Sequence, residues 1–171
     1  MATEFKPLEI KSIIDSPASN VWELFSSPGH LEKIHAFDKH NPVLKWQGEG
    51  SVDQLEYYSG IIHERTFTAW LPEVGYDIEV VERPSGKHTN SVKFRISPVD
   101  ENRSELTITS TPAIPEAPSE EERQQDYESK TKPGVLMYFT SLEKGVEYYL
   151  TTGKPVHRNQ FGALSPYSPA E

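Results

Sequence analysis

The sequence predicts an α+β fold built from one strand, two short helices, an antiparallel meander of six further strands and a long closing helix. Three observations carry this reading. Short segments with period-two alternation recur from residue 42 to residue 112, and the turns between them are brief, which makes consecutive strands antiparallel neighbours. A comparable segment opens the chain. Near its end, apolar residues at 135, 139, 142, 146 and 149 follow the spacing of one helix face.

The first strand is "FKPLEIKSII", with Leu8, Ile10, Ser12 and Ile14 on one face and Glu9, Lys11 and Ile13 on the other. In "DSPASNVWELF", Asp15 or Ser16 is the expected N-cap and Pro17 the first helical residue, since proline gives up only an N–H that the first turn leaves free anyway. Val21, Trp22, Leu24 and Phe25 form its apolar stripe. "SSPG" stops this helix and introduces a second one with Leu31, Ile34 and Phe37 inward, ended by Pro42. The meander then reads "PVLKWQ", "SVDQLEYY", "IIHERTFTAWL", "YDIEVVE", "NSVKFRIS" and "SELTITST". "RPSGK" is a tight turn, because proline presets φ and glycine permits a positive one. After the breaker "PAIPEAP", Ser119 and Glu122 have capping-box spacing, and Pro133-Gly134 should interrupt that short polar helix. The final helix is stopped by Gly153 and Pro155.

Composition narrows the function classes. The chain has 171 residues, 35% hydrophobic and 25% charged, enough for one domain with a proper core. It contains no cysteine, so disulfides, thiol catalysis and thiolate metal sites are excluded. A net charge of −9 argues against nucleic acid, whose phosphates require clustered Lys and Arg. The acidic run "SEEERQQDYESK" reads as a solvated helix face. No apolar run reaches the length of a bilayer span, and the N-terminus lacks a secretory pattern, so a cytoplasmic protein without an integral membrane segment is expected. No Walker loop, nucleophile elbow or dinucleotide glycine pattern occurs, and no cofactor is expected.

The opening "IDSPASNVWELFSSPGHLEKIH", with Asp15-x-Pro17-x-x-x-Val21-Trp22, and the closing "SLEKGVEYYLTTG" resemble the START-related superfamily, also called SRPBCC. It includes birch pollen allergen-like proteins and polyketide cyclases/dehydrases. The resemblance covers residues 5–153. It implies a helix-grip fold, a curved seven-stranded antiparallel sheet wrapped around the long C-terminal helix, with a cavity between them. It divides the chain into a domain of residues 1–153 and an irregular tail of 154–171, which either folds back through Phe161 and Tyr167 or is mobile. It implies a small hydrophobic ligand, such as a lipid or polyketide-like compound, bound by a monomer or homodimer. Polyketide cyclase-like catalysis is the alternative, and a chaperone-activator-like interaction module is a second one.

Alternation selects the residues that would line such a cavity. Tyr76, Ile78 and Val80 oppose Asp77 and Glu79; Val92, Phe94 and Ile96 oppose Lys93 and Arg95; Leu106 and Ile108 oppose Thr107 and Thr109. The helix contributes Val135, Phe139, Leu142, Val146 and Tyr149, with Met137 and Tyr138 off the stripe. Trp46 and Phe37 belong to the same candidate wall. Residues 51–58 and 61–71 are ambiguous. Asp53, Leu55 and Tyr57 face away from Gln54, Glu56 and Tyr58, and His63, Arg65 and Phe67 face away from Glu64, Thr66 and Thr68. If the odd face points inward, Arg65 requires a carboxylate, Asp53 or Glu56, or a ligand anion, because an unpaired buried charge costs several kcal/mol. The outward alternative is a surface ion pair worth about 0–1 kcal/mol. Weak catalytic candidates are His63 with Glu56 or Tyr58.

His30, His35 and His40 are evenly spaced around Asp38. Five residues turn a helix through about 500°, roughly 140° out of register, so the three do not share a face as helical metal ligands would. No metal site is expected. The resemblance places them near the cavity mouth, mostly solvated, with His35 the best placed to touch a ligand.

Overall fold

The structure, a computed structural model, describes residues 5–171. The expectation that the chain alternates from its first residue, without a leader, falls on residues 1–4 and lies outside the described residues. Eight strands form one antiparallel sheet: β1 Leu8–Ile14, β2 Asp38–His40, β3 Val43–Lys45, β4 Val52–Tyr57, β5 Ile62–Leu71, β6 Gly75–Arg83, β7 His88–Pro98 and β8 Ser104–Pro112. Their order is β1-β8-β7-β6-β5-β4-β2, and β3 also pairs with β4. The strand beyond the seven expected is β2, three residues that lie along β4 through Asp38↔Tyr57. Its brevity hides it in sequence, since three residues show no alternation.

Between β1 and β2 lie α1 Ala18–Phe25 and α2 Leu31–Ile34. The cap of α1 is Pro17 itself, extended at φ −58° and ψ 148°, rather than Asp15 or Ser16. Its carbonyl accepts from the N–H groups of Asn20 and Val21. The C-terminal region holds α3 Glu120–Asp126, a π-helical turn Tyr127–Thr131 and α4 Lys132–Thr152. Ser119 caps α3 by accepting from the Glu122 N–H at 3.2 Å. Pro133 does not interrupt the helical path as expected. The wider turn before it, closed by the Lys132 N–H on the Tyr127 carbonyl, takes up the loss of the proline N–H. Gly153, at φ 71°, ends α4 in the left-handed conformation that glycine adopts without a Cβ clash.

Register shifts between Phe67 and Ala69 and between Val80 and Val81 bend the central strands. The concave face carries Ile10, Ile14, Ile78, Phe94, Ile96, Leu106 and Ile108, all buried. Phe139, Leu142 and Val146 of α4 pack into it, each burial contributing about 1.5–3 kcal/mol. At Gly145, a Cβ would stand 1.8 Å from the Ile34 carbonyl oxygen, so α4 and the end of α2 meet backbone to backbone. Residues 154–171 fold back. The Val156 N–H donates to Lys33, Asn159 to Ala36 and Ser59 to the Tyr167 carbonyl. Tyr167 and Leu164 pack against the core, while Phe161 is half-buried.

Candidate functional site

On β4 and β5 the odd-numbered face points inward. Asp53, Leu55, Tyr57, His63, Arg65 and Phe67 are buried, and their even-numbered neighbours are not. The reason is pairing: Asp53 lies directly across from Arg65 and Leu55 from His63, so the charges meet on one face and need no solvent. Arg65 Nε donates to Asp53 Oδ1 at 2.8 Å and Nη2 to Oδ2 at 2.6 Å. Asn41 Nδ2 completes the carboxylate at 3.0 Å and also donates to the Gln54 carbonyl. Burial alone would push the Asp53 carboxyl up; the Arg65 charge and these hydrogen bonds outweigh it and hold it below its ordinary range. Glu56 takes no part.

Between the sheet and α4 lies a cavity of about 380 Å³. Its apolar walls come from Leu55, Ile78, Val80, Val92 and Phe94 of the sheet and from Val135, Phe139 and Leu142 of α4. One end is polar: His35, Tyr57, His63, Arg65, Tyr138 and Tyr167 converge there. The Tyr57 hydroxyl lies 3.1 Å from His63 Nδ1 and 2.6 Å from the Tyr138 hydroxyl. Burial lowers His63 to about 4 and raises Tyr57 well above its ordinary value, so the imidazole is neutral and the phenol protonated at neutral pH. Lys87, His88, Lys130 and Thr131 with Pro112–Pro115 also line the cavity.

The other candidates lie elsewhere. Trp46, Phe67 and Tyr76 form an aromatic cluster with Trp70 beside the cavity, not on its wall. Phe37 packs behind Tyr138 at 5.9 Å. Ile108 and Val146 are core residues away from the opening. Tyr149 lies under the Lys33 ammonium, 5.5 Å from its ring centre; α4 runs past the cavity, and the tyrosine with it. Glu56 and Tyr58 stand on the even face, away from the cavity, Tyr58 beneath Arg158 at 4.8 Å. Tyr138, left off the stripe, is on the wall because the inward face of α4 is wider than one row of residues. Tyr167 carries no sequence signal, since the tail has no period.

The three histidines divide differently from the solvated rim expected of them. His30 is fully buried, its Nδ1 donating to the Ser27 carbonyl at 2.8 Å and its Nε2 meeting the Tyr76 hydroxyl at 3.1 Å. His35 is buried at the cavity; burial first and then the Arg65 charge lower it to about 3. Only His40 is exposed, 3.6 Å from Glu32. Asp38 is buried with both carboxylate oxygens unpartnered among the described residues, and burial raises it to about 9. Among the described residues no group of His, Asp and Glu could hold a metal ion, and no helix is long and apolar enough to cross a membrane.

No protein-family model and no curated protein matches the chain in sequence. Solved structures do match in shape. The Zhui aromatase/cyclase from Streptomyces sp. R1128 is 18% identical, with 88% of this chain and 99% of that one covered, at a TM-score of 0.59. Ara h 8.0201 is 16% identical, with 85% and 97% covered, also at 0.59. DynU16, from the dynemicin biosynthetic locus, is 14% identical at a TM-score of 0.64; the match covers 89% of this chain, which spans about half of DynU16. With its bent antiparallel sheet, helical pair and closing helix matched over nearly the whole chain by these structures, the protein has the helix-grip fold.

Proposed function

We propose that the protein binds a small, largely apolar molecule inside the cavity and sequesters or carries it. One observation supports this above the rest: the space between α4 and the sheet stays open although large aromatic residues are close by. Trp46 and Trp70 have the bulk to fill it and instead pack against Phe67 and Tyr76. At about 380 Å³ the cavity lies at the low end of small-molecule sites, which run from about 300 to 1,000 Å³. That size suits two or three fused rings or a short acyl chain rather than a whole phospholipid. The test is native mass spectrometry of the purified protein with a thermal-shift screen of apolar compounds. A ligand present at a hundred times its Kd adds about 2.7 kcal/mol to stability, a shift of several degrees. If no compound moves the melt and no mass co-purifies, the proposal fails.

Proton-transfer chemistry is a second reading, favoured by the hydrogen-bonded series His63, Tyr57, Tyr138 that ends at the cavity. Deuterium exchange at the α-carbons of 2-tetralone, followed by NMR in D₂O, would be accelerated by the protein and lost in His63→Ala. Exchange at the solvent rate would dispose of this reading.

A further inference from the structure

The polar end of the cavity carries an unbalanced set of hydrogen-bonding groups, and the imbalance names a ligand chemistry. His35 Nδ1 lies 3.3 Å from the Phe37 backbone N–H, which can only donate. The ring therefore accepts at Nδ1, and when neutral it carries its proton on Nε2. That N–H is buried, belongs to a residue on the cavity wall and has no partner among the described residues. The adjacent Tyr138, with ring centres 4.9 Å apart, spends one hydrogen bond on Tyr57 and has capacity for another. Arg65 also reaches the wall, but both of its hydrogen bonds to Asp53 are bidentate and short, so its charge is already matched.

We infer that the guest places a neutral hydrogen-bond acceptor, a ketone or quinone-type carbonyl, against a donor pair formed by His35 Nε2–H and the Tyr138 hydroxyl. The inference rests on the binding reading above and adds the ligand's head group. The protons can run in one direction: His63 Nδ1–H to Tyr57, Tyr57 O–H to Tyr138, and Tyr138 O–H to the carbonyl. A hydroxyl guest meets the pair only by reversing the whole series, donating to Tyr138 while accepting from His35, which requires the other tautomer of His63. A carboxylate gains no cation here, because Arg65 is already paired. An unpartnered buried donor is costly, and a carbonyl oxygen with two lone pairs meets both donors at once.

The test uses matched probes: 9-fluorenone, fluorene and fluorene-9-carboxylate, titrated calorimetrically into the full chain. Fluorenone should bind about tenfold more tightly than fluorene, the equivalent of about 1.4 kcal/mol, and the carboxylate should bind no better than fluorene. The infrared carbonyl band of bound fluorenone should move to lower wavenumber than in hexane. His35→Phe and Tyr138→Phe should each remove most of the preference for fluorenone over fluorene measured on the same variant. The wild-type ranking and the infrared band decide the matter even if a variant fails to fold. Equal affinity for fluorenone and fluorene overturns the donor pair and leaves the cavity-binding reading intact. Tightest binding of the carboxylate overturns it as well. Binding of none of the three takes down both.

Discussion

Removing Asp53 should be far more damaging than removing the whole Asp53–Arg65 pair. The two side chains are 0% and 4% exposed and face each other across β4 and β5. Asp53→Asn keeps the shape and an acceptor for Asn41 but strands a guanidinium in the interior, whose deprotonation is out of reach near neutral pH. Breaking one side of a buried ion pair costs about 3–5 kcal/mol, whereas exchanging both partners for apolar residues of similar volume is often neutral or stabilising. Asp53→Leu/Arg65→Met should therefore recover most of the loss seen in Asp53→Asn. Asn41 Nδ2 does not reverse this, because it retains the Gln54 carbonyl at 2.8 Å. Urea unfolding at pH 7, followed by tryptophan fluorescence and far-UV dichroism, measures both. Coincident transitions would justify two-state free energies. If the double variant proves as unstable as Asp53→Asn, or Asp53→Asn costs less than about 1 kcal/mol, the pair is not the desolvated contact described.

Two further predictions follow from buried groups. Stability should peak near pH 6.5. Burial lowers His30 and His35 to about 3 and His63 to about 4, and it raises Asp38 to about 9 and Glu143 to about 8. Between about pH 4.5 and 6.5 the unfolded chain takes up three histidine protons while the folded one retains two carboxyl protons, so stability rises by about 1.4 kcal/mol per unit. Above 6.5 only the two carboxyls differ, and stability falls to about pH 8 and then at about half that slope to about pH 9; a melting profile that climbs steadily from pH 6.5 to 8 would contradict these assignments. Gly145→Ala should cost about 3 kcal/mol through overpacking against the Ile34 carbonyl, despite the roughly 1 kcal/mol that alanine gains over glycine in a helix. A rise in melting temperature would show that α2 and α4 are not in backbone contact.

The architecture was legible because its signals are local. The alternation of β6 to β8, the proline-led entry to α1 and the periodicity of α4 each lie within one segment, and tertiary packing agrees with them. The site was less legible because it is made by pairing across segments. Both faces of β4 and β5 mix polar and apolar residues, and only the meeting of Asp53 with Arg65 shows which face is interior. Tyr138 escaped because a single row of helical residues understates the width of a buried face. His30 and His35 look like rim residues in isolation; backbone groups at Ser27 and Phe37, supplied by the turns around α2, are what make their burial tolerable. Tyr167 reaches the site from an aperiodic segment held by long-range backbone hydrogen bonds.

The returning C-terminal strap is also part of the container. Leu164 to Tyr167 line the cavity, and the Tyr167 ring packs against Tyr57 and His63. Backbone hydrogen bonds with Lys33, Ala36 and Ser59 tie the segment down. Ending the chain after Gly153 would therefore unroof the cavity, and an apolar compound that raises the melting temperature of the full chain should lose that effect on the shortened one.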